Sequence, residues 1–270
     1  ASPALLFTTV ATSDAATFIS PVVVVVFIAT AITMVVFWVI SRLFFQADVP
    51  TRMAGAASAS YFNSVNIGLP IAIYVIGDAA YMPPVLLMQM VIVSPIVIAG
   101  LSANPTAPGS RGRNVWEAVK SGLTAPVVVA PLLGLVFASM EWTLPDPVMA
   151  PLEILAGASI PMILMSFGAS LRGGAVLSPG PDRPATITAS ILKLMVMPAI
   201  AWVIGALAGL EGSALYAAVI LSALPTAQNV YNYTANFRAG ETVARDTVFI
   251  TTFLSCLLYT SDAADDSLRV

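Results

Sequence analysis

Histidine is absent from this chain, and cysteine occurs once, at Cys256. The first absence excludes histidine-held metals, Ser-His-Asp nucleophiles and histidine proton relays. The second excludes an intramolecular disulfide and a cysteine metal cluster. Charge is scarce too: Asp, Glu, Lys and Arg make up 9% of the residues, against about a quarter in soluble domains. Apolar residues take their place, at 58% with a mean hydropathy of +0.91. Several stretches reach the roughly 20 residues that cross a bilayer. The composition is that of an all-α polytopic membrane protein embedded in lipid. No paired carboxylates, metal ligands or histidine base fall at membrane depth, so the reading includes no enzyme activity, no metal and no nucleic-acid partner.

Nine spans are expected, near 3–13, 17–45, 51–77, 81–102, 115–140, 146–172, 184–210, 212–237 and 241–258. Val22 to Val26 is a β-branched run, but it lies inside a stretch of membrane length, so length decides for helix. Gly55, Ala56, Ala57, Ser58 and Ala59 give the third span a small-residue face that allows close helix approach. The charges alternate between connections. Arg42 and Arg52 flank one, with Asp48 between them; Arg111, Arg113 and Lys120 mark the next alternate one. Arg172, Arg183 and Lys193 mark the third, Arg238 and Arg245 the fourth. The intervening connections hold Asp14, Asp78, Glu141, Asp146 and Glu211 without Lys or Arg. This positive-inside pattern predicts that the basic connections face the cytoplasm across the plasma (inner) membrane.

Two spans are interrupted by asparagine and proline. One reads Tyr61-Phe62-Asn63-Ser64-Val65-Asn66-Ile67-Gly68-Leu69-Pro70, the other Leu224-Pro225-Thr226-Ala227-Gln228-Asn229. Proline removes a main-chain donor and displaces the carbonyl one turn earlier. An opening of that kind persists in hydrocarbon only when it is buried in protein or lines a watery cavity. Paired interruptions in corresponding positions of two halves point to a transporter's binding site. Pro70 and Pro225 stand out from the other membrane prolines because Asn63, Asn66, Gln228 and Asn229 accompany them. Half-helix N-termini at such a crossing suit an anion, and neutral amides hold a carboxylate without a buried charge.

Gln89 is a further amide at mid-membrane depth. Lys193 lies near enough to the cytoplasmic end of its span to snorkel, so no buried cation is expected beside the breaks. Glu153 and Asp246 are expected to be solvated charges at helix ends.

The polar stretch from Asn104 to Asn114 divides the chain into a first repeat at 1–103, a linker at 104–114 and a second repeat at 115–258. The opening residues enter a span in progress, so helix one and part of helix two are expected to be missing. With that span restored each half has five helices, and an odd number makes the halves an inverted repeat. Residues 259–270 resemble the translated read-through of a sequencing adapter and are expected to carry no function.

The order and spacing of the motifs resemble the auxin efflux carrier family, over roughly residues 1–258. The pieces are Pro3-Ala4-Leu5-Leu6-Phe7, Asn63-Ser64 with Gly68-Leu69-Pro70, Pro161 with Ser166-Phe167-Gly168-Ala169-Ser170-Leu171, Pro225-Thr226-Ala227-Gln228-Asn229, and Thr251-Thr252 with Ser255. The resemblance implies ten helices in two inverted repeats, a scaffold domain and a transport domain, and organic-anion substrates such as malate, malonate or auxin. It implies that Asn63 and Asn229 are carboxylate ligands, with Ser64 beside them, and that Gly68, Pro70, Pro161 and Pro225 shape the breaks and the crossover. Asn66 departs from the family's usual apolar residue. The coupling ion, proton or sodium, stays open, as does a homodimer. Two alternatives stand beside this reading: a sodium-coupled symporter of the bile-acid type, and an anion-binding receptor that moves nothing.

Overall fold

The computed structural model describes residues 2–12, 20–68, 71–77, 81–103, 120, 124, 126–172 and 175–267. Among these the chain is helical, with no strand beyond one isolated antiparallel bridge between Phe62 and Thr226. Three helices are long and apolar enough to cross a membrane: Pro21–Phe44, Pro84–Ser102 and Arg183–Leu207. Two of the other expected spans fall short for a physical reason. The span at 212–237 is split into helices Gly212–Ala223 and Gln228–Phe237, and the span at 51–77 ends its first helix, Val49–Ser60, in extended chain at Tyr61. The expected linker at 104–114 lies outside the described residues, as does Pro70. The last helix, Glu241–Ser267, continues past Leu258 into the polar tail.

Local signals set the helix starts. Ser20 accepts the Val22 N–H at the head of Pro21–Phe44, and Asp48 accepts the Thr51 N–H at the head of Val49–Ser60. Each helix then has proline in its first turn, where the missing N–H costs nothing. Helix Asp146–Leu171 contains Pro161 without interruption. The expected break there is absent, and Pro161 is exposed on the helix surface.

Helices of the two sequence halves interleave. Pro21–Phe44 packs on Val49–Ser60 and also on Met197–Leu207 and Gly212–Ala223. Val49–Ser60 sits at the centre, touching helices before and after it in the chain, and its residues 53–60 are all buried. Its small-residue face explains the closeness, because a methyl group at Gly55 would run into the ring of Phe37. Gly55→Leu is expected to destabilise the protein by about 1–3 kcal/mol through overpacking. Thermal unfolding in detergent checks this, and an unchanged midpoint would show that the two helices can separate freely.

Candidate functional site

The two interrupted spans meet at their interruptions. Leu224 is held in extended conformation (φ −54°, ψ 142°), as residues before proline prefer. Tyr61 is also extended, at φ −82° and ψ 112°. Across the Phe62–Thr226 bridge, the Asn63 N–H donates to the Pro225 carbonyl at 2.8 Å and the Ala227 N–H donates to the Tyr61 carbonyl at 3.1 Å. Each interruption thus supplies the other with one main-chain donor and one acceptor. The first opening lies at 61–63, well before Pro70. Asparagine side chains compete with helical hydrogen bonding, and Asn63 does so here: its Oδ1 accepts the Asn66 N–H at 3.1 Å and caps the π-helical turn Ser64–Gly68.

Three of the four amides beside the interruptions converge. Asn63 Nδ2 donates to Gln228 Oε1 at 2.6 Å, and Asn66 Nδ2 donates to the same oxygen at 3.3 Å. Gln89 joins the group: Ser64 Oγ donates to its Oε1 at 2.6 Å, and its Nε2 donates to the Phe62 carbonyl at 2.9 Å. Asn63, Ser64, Gln89 and Gln228 are buried, whereas Asn66 and Asn229 are half-buried. Gly68 belongs here for steric reasons, since a Cβ on it would lie 2.9 Å from Leu224 Cδ1 and 2.8 Å from Met82 Cε.

Donors remain. The helix Gln228–Phe237 begins without a side-chain cap. Among the described residues nothing accepts from the main-chain N–H groups of Gln228 and Asn229, and nothing engages the Asn229 amide. A helix N-terminus with open N–H groups and a positive dipole end attracts an anion. Gln228 Nε2 and the Asn229 amide add neutral donors at the same end.

Several residues around the crossing were given no role of their own in the sequence reading. Thr226 Oγ1 donates to the Ser58 carbonyl at 2.7 Å, and the Thr226 N–H donates to Thr251 Oγ1 at 3.1 Å. The hydroxyls of Tyr61 and Ser94 lie 3.0 Å apart, and Tyr233 packs edge-on against Tyr61 with its own hydroxyl 3.5 Å from Ser94. Two charges correct the sequence reading. Lys193 does not snorkel: it is fully buried, with Nζ 5.3 Å from the centre of the Phe62 ring. A basic side chain therefore does lie beside the break. Asp246 is buried as well, accepting from Arg245 Nε at 2.8 Å and from the Leu177 N–H at 2.9 Å. Neighbours supply both with partners that water was expected to provide. Glu153 is exposed, as expected. Gln89 and Lys193 each lie in a π-helical turn, Gln89–Val93 and Leu192–Val196, a local widening that often marks functional positions.

A family model described as membrane transport protein matches residues 1–261. A protein of Rhizobium meliloti (strain 1021) described as "Putative malonate transporter" is 26% identical over 210 residues. The match covers 75% of this chain and 63% of that protein's length.

Proposed function

Since the chain belongs to the membrane transport protein family, the auxin efflux carrier group that its motifs resemble, we propose that it is a secondary transporter moving small carboxylates by alternating access. The observation that carries this reading is the crossing itself. Two interrupted helices complete each other's main-chain hydrogen bonding there, leaving the head of Gln228–Phe237 open beside a cluster of amides. A carboxylate accepts from the Gln228 and Asn229 N–H groups and from the Asn229 amide, and Asn63 and Asn66 hold Gln228 in position. A dicarboxylate of malonate size is the first candidate, in keeping with the relative's description.

The wider architecture belongs to the same proposal: ten helices in two inverted repeats, basic connections in the cytoplasm of the inner membrane, and one group of helices moving against another. Two features support a carrier over a receptor. The crossing joins distant parts of the chain through short polar contacts, and the helix head beside it keeps unpartnered N–H groups among the described residues. With the cytoplasm negative, export of an anion is favoured by about 2.3 kcal/mol per charge and 100 mV.

Counterflow in proteoliposomes loaded with malonate, malate or indole-3-acetate tests the reading. Asn229→Ala is expected to lower exchange about tenfold, as befits the loss of one charge-assisted hydrogen bond of roughly 1.5–3 kcal/mol, with folding unaffected because Asn229 supports no other described group. Exchange at the parental rate would move the site elsewhere. Binding of an anion without exchange would favour the receptor.

A further inference from the structure

The bridge sets Phe62 opposite Thr226, so Ser58 and Ser222, each four residues earlier, are equivalent across the crossing. Each sits in the last turn of its interrupted helix, and each carbonyl needs a new donor. In a continuous helix the Ser222 carbonyl would receive the Thr226 N–H, but that group is turned to Thr251 Oγ1. Main-chain groups at membrane depth must be satisfied within the protein. The two ends achieve this differently. On one side Thr226 reaches across, and its hydroxyl donates to the Ser58 carbonyl at 2.7 Å. The corresponding reach from the other side belongs to Phe62, whose ring has no proton to give.

Lys193 supplies it. Its Nζ donates to the Ser222 carbonyl at 2.8 Å, lies 3.1 Å from Met197 Sδ and sits 5.3 Å from the centre of the Phe62 ring. The side chain is 0% exposed, and no carboxylate among the described residues pairs with it. Ser222 Oγ, beside that carbonyl, is buried without a partner. The surroundings of the ammonium are therefore a carbonyl oxygen, an idle hydroxyl, an aromatic face and the negative end of a helix dipole. All four favour a monovalent cation.

We propose that Lys193 is a built-in counter-cation. Its ammonium holds the place at the end of Gly212–Ala223 that a small monovalent cation would otherwise occupy, so the crossing is complete without bound sodium. Asymmetry at an equivalent pair carries the argument: threonine closes one end with a neutral hydroxyl, and phenylalanine hands the other to a charge. Only its consequence for coupling rests on the transport reading; the cation site is measurable without transport.

Lys193→Met keeps the stem and removes the ammonium. The purified parent, Lys193→Met and Lys193→Arg are unfolded thermally in sodium, methylammonium and N-methylglucamine chloride at equal ionic strength. The parent's midpoint is expected to be the same in all three. Lys193→Met should melt roughly 5–10 °C lower in N-methylglucamine, with sodium or methylammonium restoring at least half of that loss, and Lys193→Arg should stay near the parent. The proposal is overturned by a parent that sodium stabilises, by a Lys193→Met midpoint equal to the parent's, or by a loss that neither cation restores. Counterflow in the same media separates the two readings. Sodium-dependent exchange by the parent counts against the counter-cation, whereas no exchange in any medium counts against the transporter and leaves the melting result standing.

Discussion

Asn63→Asp should weaken carboxylate exchange by about a hundredfold or more while the protein still inserts and folds. Asn63 has two tasks: Oδ1 caps the turn that starts at Ser64, and Nδ2 holds Gln228 Oε1 at 2.6 Å. Aspartate keeps the first and loses the second. It also places a negative charge at the end of the site where an anion is to bind, beside the open head of Gln228–Phe237. Repulsion between two unit charges 4 Å apart is about 4 kcal/mol at an effective dielectric constant of 20, and each 1.4 kcal/mol is about tenfold in affinity. Folding survives because Gln228 can turn its Nε2 toward the new carboxylate. The apparent affinity for malonate in counterflow, read beside the unfolding midpoint, decides it. Parental affinity in a folded variant would show that the anion binds away from Asn63.

Gln89→Met should cost the most stability of any single change considered. The side chain is 0% exposed and engaged at both ends, accepting from Ser64 Oγ and donating to the Phe62 carbonyl. Methionine fills the volume but leaves a buried hydroxyl and a buried carbonyl without partners, each worth about 1–3 kcal/mol. The sum is about 2–6 kcal/mol, and the expected fall in midpoint is roughly 5–20 °C. Differential scanning fluorimetry on the detergent-purified variant measures it. A shift within a degree of the parent would mean that water reaches Ser64 and Phe62, and that the site is wetter than its burial suggests.

Legibility of the site followed the reach of each interaction along the chain. The interruptions could be read because proline and asparagine act on their own backbone, and Pro225 broke its span where it stands. Asn63, Asn66, Gln228 and Asn229 could be read because amides are rare at membrane depth. The position of the first opening was less legible. Pro70 lies outside the described residues, and the extended stretch at 61–63 is fixed by a capping asparagine and by pairing with residues over 150 positions away, which no proline rule announces. Pro161 misled for the opposite reason: a proline predicts a lost donor but not whether the neighbouring turns absorb it. Lys193 was misread because depth alone suggested a route to water. Its burial depends on the Ser222 carbonyl and the Phe62 ring, which only the folded chain brings together.

The Phe62–Thr226 bridge has a consequence for biosynthesis. Residues 61–63 leave the ribosome long before residues 225–227 do. At elongation rates of about 5–20 residues per second, the interval is on the order of ten seconds or more. Throughout it, the Asn63 amide and the Tyr61 carbonyl lack the partners they have in the finished protein. The early half must therefore wait in a hydrated or chaperoned setting until the late half arrives. Insertion and folding are consequently separate events here, and the second cannot begin in earnest until the eighth expected span has been reached.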